Sequence, residues 1–222
     1  MKSLGQKYKV LFKNKHFLNS LALGAIFLPI SIVINMFTSM YATDRATAPV
    51  GDIILSNIPV FQVDHIFIYG PIIFWTVMGL YALSKPEKIP FWLKAICLFV
   101  ITRSIFISLT HIGPFPDAVI VDAPSIFSRL NLFIFNSGGD LFFSAHTGLP
   151  FLNALVFWEN RRVRIFCILS AIFFGVIVLL GHLHYSIDVL SAFFITFTIH
   201  HIATRVFSND LKARPNLVTL PS

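Results

Sequence analysis

The sequence is poor in charge: of its 222 residues only 17 are lysine or arginine and 10 are aspartate or glutamate, together 12%. A soluble globular domain carries about 25% charged residues, because water must solvate its surface. Hydrophobic residues make up 56% of this chain instead, and phenylalanine alone contributes 25. These proportions exclude a disordered chain and an ordinary cytosolic enzyme, and they indicate an integral membrane protein.

Cysteine is also scarce. The two cysteines, Cys97 and Cys167, both lie within apolar runs. A disulfide framework or a cysteine-based zinc site needs several cysteines at suitable spacing. Both kinds of site are therefore excluded.

What the chain has is long apolar runs. A helix needs about 20 mainly apolar residues to cross the hydrocarbon core of a bilayer. Six such runs predict an all-α polytopic membrane protein, in which residues 1–222 form a single membrane domain of six transmembrane helices in one bundle. The predicted spans are residues 17–41, 66–84, 91–112, 141–158, 165–181 and 185–207.

The basic residues predict how the bundle is oriented, because lysine and arginine near the ends of spans stay in the cytoplasm. Fourteen of them fall on the side of the N-terminus, and only Arg45 and Arg129 fall on the other side. Both termini are therefore predicted to be cytoplasmic. Anionic lipid of the inner leaflet is a sufficient partner for the net charge of +7, so no nucleic acid is expected.

A few ionisable residues lie inside the predicted spans, where they are costly and by default mark a functional site. His146 lies about 9 Å below the outer end of span four, at 1.5 Å per residue. His184 lies at the mouth of span six, and Asp188 follows one helical turn further on the same face. Arg103 lies in the outer half or near the middle of span three. These four residues are predicted to surround one extracytoplasmic cavity.

This set of side chains fits phosphoryl transfer without a metal or a cofactor. A nucleophilic imidazole needs a carboxylate partner, a leaving alkoxide needs a general acid, and the transferring oxygens need a cation. A metal site built from Asp140, His146, His184 and Asp188 is the alternative, since all four are possible ligands. Asp188 fits an orienting role at His184 equally well without a metal. We therefore expect neither metal nor cofactor.

Two short strings carry a resemblance to a known family. Residues 139–147, G-D-L-F-F-S-A-H-T, and residues 184–189, H-Y-S-I-D-V, resemble the two catalytic motifs of the sphingomyelin synthase family. That family is a branch of the type 2 phosphatidic acid phosphatase superfamily. The first motif departs from the family pattern with Gly138 in place of cysteine and Ala145 in place of glycine, whereas the second motif matches in full. Residues 103–116 are more loosely similar to the arginine-containing motif of the family's third span.

The resemblance implies a six-span enzyme with an extracytoplasmic His-His-Asp triad that moves a phosphorylated headgroup between membrane lipids. His184 would be the nucleophile, Asp188 its partner and His146 the general acid. The residues predicted to bind substrate are Arg103, Asp140, Ser144 and Tyr185. For Asp140 a structural role is an equal alternative.

Two enzyme reactions and one other function stay open. The enzyme would pass phosphocholine or a similar headgroup from a glycerophospholipid to ceramide or another lipid alcohol; alternatively it is a lipid phosphate phosphatase or a phospholipase C-like hydrolase. Phosphatases of the superfamily usually hold a monoester dianion with three cations, whereas the predicted cavity of this chain has one arginine, Arg103, which favours a phosphodiester. A transporter is the least favoured alternative, since the sequence shows no inverted repeat.

Overall fold

The computed structural model describes residues 3–121 and 140–212, and within these ranges it is helical without strands. Two short 3-10 turns, Leu55–Asn57 and Pro86–Lys88, lie between the helices. This architecture confirms the predicted all-α class. The helices are α1 (Leu4–Leu11), α2 (Lys15–Asp44), α3 (Asp64–Leu83), α4 (Ile89–Leu109), α5 (Ala145–Val156), α6 (Arg161–Leu180), α7 (Ser186–Val206) and α8 (Ser208–Lys212).

Five of these helices, α2, α3, α4, α6 and α7, are long and apolar enough to cross a membrane. Their outward faces carry large apolar side chains, such as Phe37, which is 61% exposed, and Phe194, which is 70% exposed. Such faces are stable in lipid but not in water. Together these helices indicate an integral membrane protein.

The remaining predicted span, residues 141–158, differs from its expected form. Helix α5 has only 12 residues, about 18 Å of helix against a hydrocarbon core of about 30 Å. Residues 140–144 are not helical, because their backbone groups have other partners: the carbonyls of Asp140 and Phe143 accept hydrogen bonds from Arg103. Six membrane crossings therefore stay a prediction.

Contacts at the two ends of the bundle give the relative directions of α2, α4 and α5. After α2 and α4, the Thr47 N–H donates to the His111 carbonyl at 2.8 Å. At the opposite end, Lys88 Nζ precedes α4 and donates to the carbonyl of Val156, the last residue of α5, at 3.1 Å. Helix α5 thus runs antiparallel to α4. We call the end where α2 and α4 finish the site end.

Helix α5 is the centre of the packing, since it contacts α3, α4, α6 and α7. The close approach depends on Gly148, where a Cβ atom would lie 2.7 Å from the Phe99 ring of α4 and 2.8 Å from Thr196 Oγ1 of α7. Backbones can approach this closely in a membrane bundle when a small residue lies at the crossing. The short helix is therefore held by four neighbouring helices, which fixes the position of its first turn.

Candidate active site

His184 lies two residues before α7 and contacts Asp188 in the first turn of that helix, so the two residues meet although they do not share a helical face as predicted. His184 Nδ1 lies 2.8 Å from the Leu141 carbonyl oxygen and 3.3 Å from Asp188 Oδ2. The same Asp188 oxygen accepts the Tyr185 N–H at 3.0 Å. A carbonyl oxygen can only accept, so Nδ1 carries a proton, and in the neutral tautomer that this requires the lone pair is on Nε2. Sequence reasoning anticipated the carboxylate but not the main-chain carbonyl, which is the nearer of the two acceptors.

Asp52, in the connection between α2 and α3, anchors the start of α7. Its Oδ2 accepts both the N–H and the hydroxyl of Ser186, each at 2.7 Å. Its Oδ1 accepts the N–H groups of Ile54 at 2.9 Å and Leu55 at 3.1 Å. Burial opposes ionisation of Asp52, but these hydrogen bonds outweigh it and hold the pKa of the carboxyl below its usual value. Sequence reasoning missed this residue, because it lies 134 positions from Ser186.

His146 is the second residue of α5 and faces α3. Its Nε2 lies 3.3 Å from the Phe67 carbonyl oxygen, and its ring stacks on the Phe67 ring with a centroid separation of 4.2 Å. One residue before α5, the Ser144 N–H donates to the Asp188 carbonyl at 3.1 Å. This main-chain bond joins the beginnings of α5 and α7, so the two predicted catalytic histidines are held by one connected structure.

Arg103 and Asp140, predicted separately as substrate-binding residues, form one buried ion pair. Arg103 Nη1 lies 2.9 Å from Asp140 Oδ2, and Nη2 donates to the Asp140 carbonyl at 2.6 Å. Arg103 Nε donates to the Phe143 carbonyl at 3.0 Å. The guanidinium is therefore already balanced by a carboxylate, and it also fixes the non-helical residues 140–144.

The other two residues predicted to bind substrate are engaged within the protein. Ser144 is fully buried, with its hydroxyl 3.4 Å from that of Thr147. The Tyr185 hydroxyl donates to the Gly113 carbonyl at 2.8 Å and accepts the Val50 N–H at 3.2 Å. These contacts tie the loops of the site end to the start of α7. A direct contact with substrate stays a prediction for both.

A cavity of about 590 Å³ brings four of the predicted site residues together: its wall includes Arg103, Asp140, His146 and His184. It lies among α2, α3, α4, α5 and α6, and most of its other lining is apolar. Asn35 of α2 also lines it, with its side-chain oxygen 3.5 Å from Arg103 Nη1. The sequence analysis did not single out Asn35, although a polar amide within an apolar run can indicate a functional position.

A metal centre was the alternative for this set of residues. Within residues 3–121 and 140–212, no group of three or more histidine, cysteine, aspartate or glutamate side chains is arranged to hold a metal ion. Asp188 instead contacts His184 directly, as an orienting carboxylate does.

Residues 137–205 match the family model of the PAP2 superfamily C-terminal domain. This match supports the PAP2 superfamily. The matched range contains both predicted motifs, and with them His146, His184 and Asp188. PAP2 similarity supports an enzyme that acts on phosphate esters, of the lipid phosphatase or phosphotransferase type. Comparisons with curated proteins and with solved structures gave no significant match.

Proposed function

We propose that the protein is a lipid phosphotransferase of the sphingomyelin synthase type. It moves phosphocholine or a similar headgroup from a glycerophospholipid to ceramide or another lipid alcohol. The observation that carries the proposal is the environment of His184, whose Nδ1 faces the Leu141 carbonyl and Asp188. Nε2 is then the free nucleophilic nitrogen, and His146 lies in the wall of the same cavity.

In the first half-reaction, His184 Nε2 attacks the phosphorus of the donor lipid. The bond between phosphorus and the diacylglycerol oxygen breaks, and His146 in its protonated form gives its proton to that oxygen. Asp188 and the Leu141 carbonyl stabilise the charge that develops on the His184 ring. Diacylglycerol leaves, and the headgroup phosphate stays bound to Nε2.

In the second half-reaction, the hydroxyl of the acceptor lipid attacks the same phosphorus. His146, now neutral, takes the hydroxyl proton, and the N–P bond breaks with its electron pair returning to His184 Nε2. Both histidines are thereby restored to their starting protonation states. With water as the acceptor, the same steps give hydrolysis.

The charge balance of the cavity favours a phosphodiester substrate. Arg103 is paired with Asp140, so its positive charge is largely neutralised within the protein. A phosphate monoester carries about −1.5 to −2 near neutral pH, and each unpaired ion in a partly desolvated site costs several kcal/mol. A diester carries about half that charge, so the cavity accommodates it more easily.

We also propose that the site faces the extracytoplasmic side, in line with the predicted orientation. The site end of the described chain carries Arg45, whereas Lys88, Arg161 and Arg205 lie at the opposite end, along with other basic residues. Basic residues near the ends of spans stay in the cytoplasm. The donor lipid would then come from the outer leaflet.

Two reactions measured in one detergent test the proposed substrate class: phosphate release from phosphatidic acid, and diacylglycerol release from phosphatidylcholine or phosphatidylethanolamine, with and without ceramide. We expect diacylglycerol release that depends on ceramide. Release without ceramide would indicate a phospholipase C-like hydrolase, and fast phosphate release with an inert diester would make the protein a phosphatase. Arg129, outside the described residues, is a possible second cation, so Arg129→Ala is assayed alongside.

Variants of the three catalytic candidates test the mechanism. His184→Ala should abolish covalent capture of a headgroup labelled on phosphorus, because the nucleophile is gone. His146→Ala should still permit capture from a donor with a good leaving group, since only the protonation step is lost. Asp188→Asn should lower turnover without unfolding the bundle. Normal turnover in all three variants would place the chemistry elsewhere.

A further inference from the structure

The cavity extends far beyond the residues that the phosphoryl chemistry uses. Along α4 its wall runs from Arg103 through Val100 and Ile96 to Trp92, close to the opposite end of the bundle. Arg103 and Trp92 are 11 positions apart, which is about 16 Å of helix at 1.5 Å per residue. The cavity is therefore a long space parallel to the membrane-spanning helices.

Polarity is confined to one end of this space. Its polar wall residues lie at the Arg103 end, apart from Thr76, whose hydroxyl donates to the Ile72 carbonyl at 2.8 Å. Towards the opposite end the wall consists of Leu28, Trp75 and Trp92 among other apolar side chains. A ligand that matches this wall has a polar headgroup at one end and a long apolar chain at the other.

Trp92 is held rigidly where the cavity ends along α4. Its Nε1 donates to Asn153 Oδ1 at 2.9 Å, and the Asn153 amide nitrogen in turn donates to the Leu149 carbonyl at 2.9 Å. The Trp92 ring lies 6.1 Å, centre to centre, from both the Trp75 and the Phe157 rings. With its polar atom satisfied and its ring packed on two others, Trp92 presents a fixed apolar surface.

We propose that this cavity binds one acyl chain of the lipid substrate, and that Trp92 forms its floor and limits the length of the chain. The proposal rests on the proposed function, because a phosphorus atom at His184 places the rest of the lipid in the adjoining space. A chain that follows the α4 wall then runs from Arg103 towards Trp92. The cavity thus selects donor lipids by chain length as well as by headgroup.

Activity on phosphatidylcholines that differ only in chain length tests the floor. kcat/KM should rise with each methylene that the cavity buries, by about fourfold where the lipid enters from water and by less where it enters from detergent, and it should stop rising where the chain reaches Trp92. Trp92→Ala should move this limit to longer chains, and Ile96→Phe, which narrows the middle of the cavity, should move it to shorter ones. Trp158→Ala is the matched control, because Trp158 is 47% exposed and lies against Arg164 outside the cavity.

A binding measurement separates this proposal from the proposed reaction. In a His184→Ala chain that keeps Trp92 as its single tryptophan, with Trp75→Phe and Trp158→Phe, fluorescence is titrated with phosphatidylcholine brominated either near the carboxyl end or near the methyl end of the chain. We expect saturable quenching that is several-fold stronger with bromine near the methyl end. This result would support the chain site even if the wild-type protein transferred no headgroup.

Two outcomes would overturn the proposal. One is quenching of Trp92 that does not depend on the position of the bromine. The other is a chain-length limit that stays in place in both Trp92→Ala and Ile96→Phe while the short-chain lipids are still turned over. If Trp92→Ala does not fold, Ile96→Phe and the quenching measurement decide the question.

Discussion

Removal of the Asp52 carboxylate should loosen the start of α7 and slow the reaction without removing any proposed catalytic group. Asp52 accepts two hydrogen bonds from Ser186 and two from Ile54 and Leu55. Loss of a side-chain cap at a helix N-terminus costs about 1 kcal/mol, and loss of the turn held by the second oxygen costs about 1 kcal/mol more. We expect Asp52→Ala to lower the free energy of unfolding by about 2 kcal/mol.

The effect on catalysis follows from the position of His184, two residues before Ser186. A displacement of about 1 Å at a reacting group can cost about a hundredfold in rate. Asp52→Ala should therefore lower kcat by about tenfold to a hundredfold with little change in KM, because the lipid-binding wall of the cavity is untouched. Asp52→Asn, which keeps one acceptor oxygen, should fall between Asp52→Ala and the wild type.

The assay is the kinetics of diacylglycerol release in detergent, together with thermal unfolding of the same samples at pH 7. Asp117→Ala is the matched control, since Asp117 is an exposed carboxylate in the connection that follows α4. It should leave both measurements unchanged. An Asp52→Ala protein with the kcat and the melting temperature of the wild type would refute the anchoring role of this residue.

Three further predictions concern charge and orientation. The pKa of Asp52 is lowered in the folded protein, so its contribution to stability is complete above the unfolded value of about 4 and is lost as pH falls through the native pKa; acid titration should show this loss in the wild type but not in Asp52→Asn. Arg103→Leu alone should cost about 3–5 kcal/mol of stability in thermal unfolding, whereas Arg103→Leu with Asp140→Leu should cost less, because no buried charge is left unpaired; an equal or larger cost in the double variant would contradict the ion-pair reasoning. In a background without the two native cysteines, Ser137→Cys should react with an impermeant thiol reagent from outside and Asn160→Cys should not; the reverse pattern would invert the proposed orientation.

The sequence predicts the helices of this protein better than it predicts the connections that arrange them. Membrane spans can be recognised in the sequence because a membrane helix must form its own backbone hydrogen bonds and must contain about 20 apolar residues. The contact between His184 and Asp188 agrees with the predicted pairing, but it does not depend on a helical period, because His184 precedes α7 and Tyr185 between them is extended. The start of α5 could not be predicted, because Arg103, 37 positions away from Asp140, bonds the carbonyls of Asp140 and Phe143.

The same limit applies to polar contacts between distant segments. Asp52 lies in the connection between α2 and α3, whose local sequence gives no sign of a partner on α7. The pairing of Arg103 with Asp140 was equally hidden, since Arg103 alone was a reasonable ligand for a phosphate and Asp140 alone was a reasonable contact for a headgroup. Both contacts depend on how the helices pack in three dimensions, and neither produces a periodic pattern in the local sequence.

Residues 140–144, which precede α5, contribute to the site mainly through their main-chain atoms. The carbonyls of Asp140, Leu141 and Phe143 bond Arg103 or His184, and the Ser144 N–H bonds α7. Side chains at positions 141 and 143 can change without loss of these bonds, provided that the backbone keeps its course. Two proteins can therefore share this site geometry while their residues differ at positions 141 and 143.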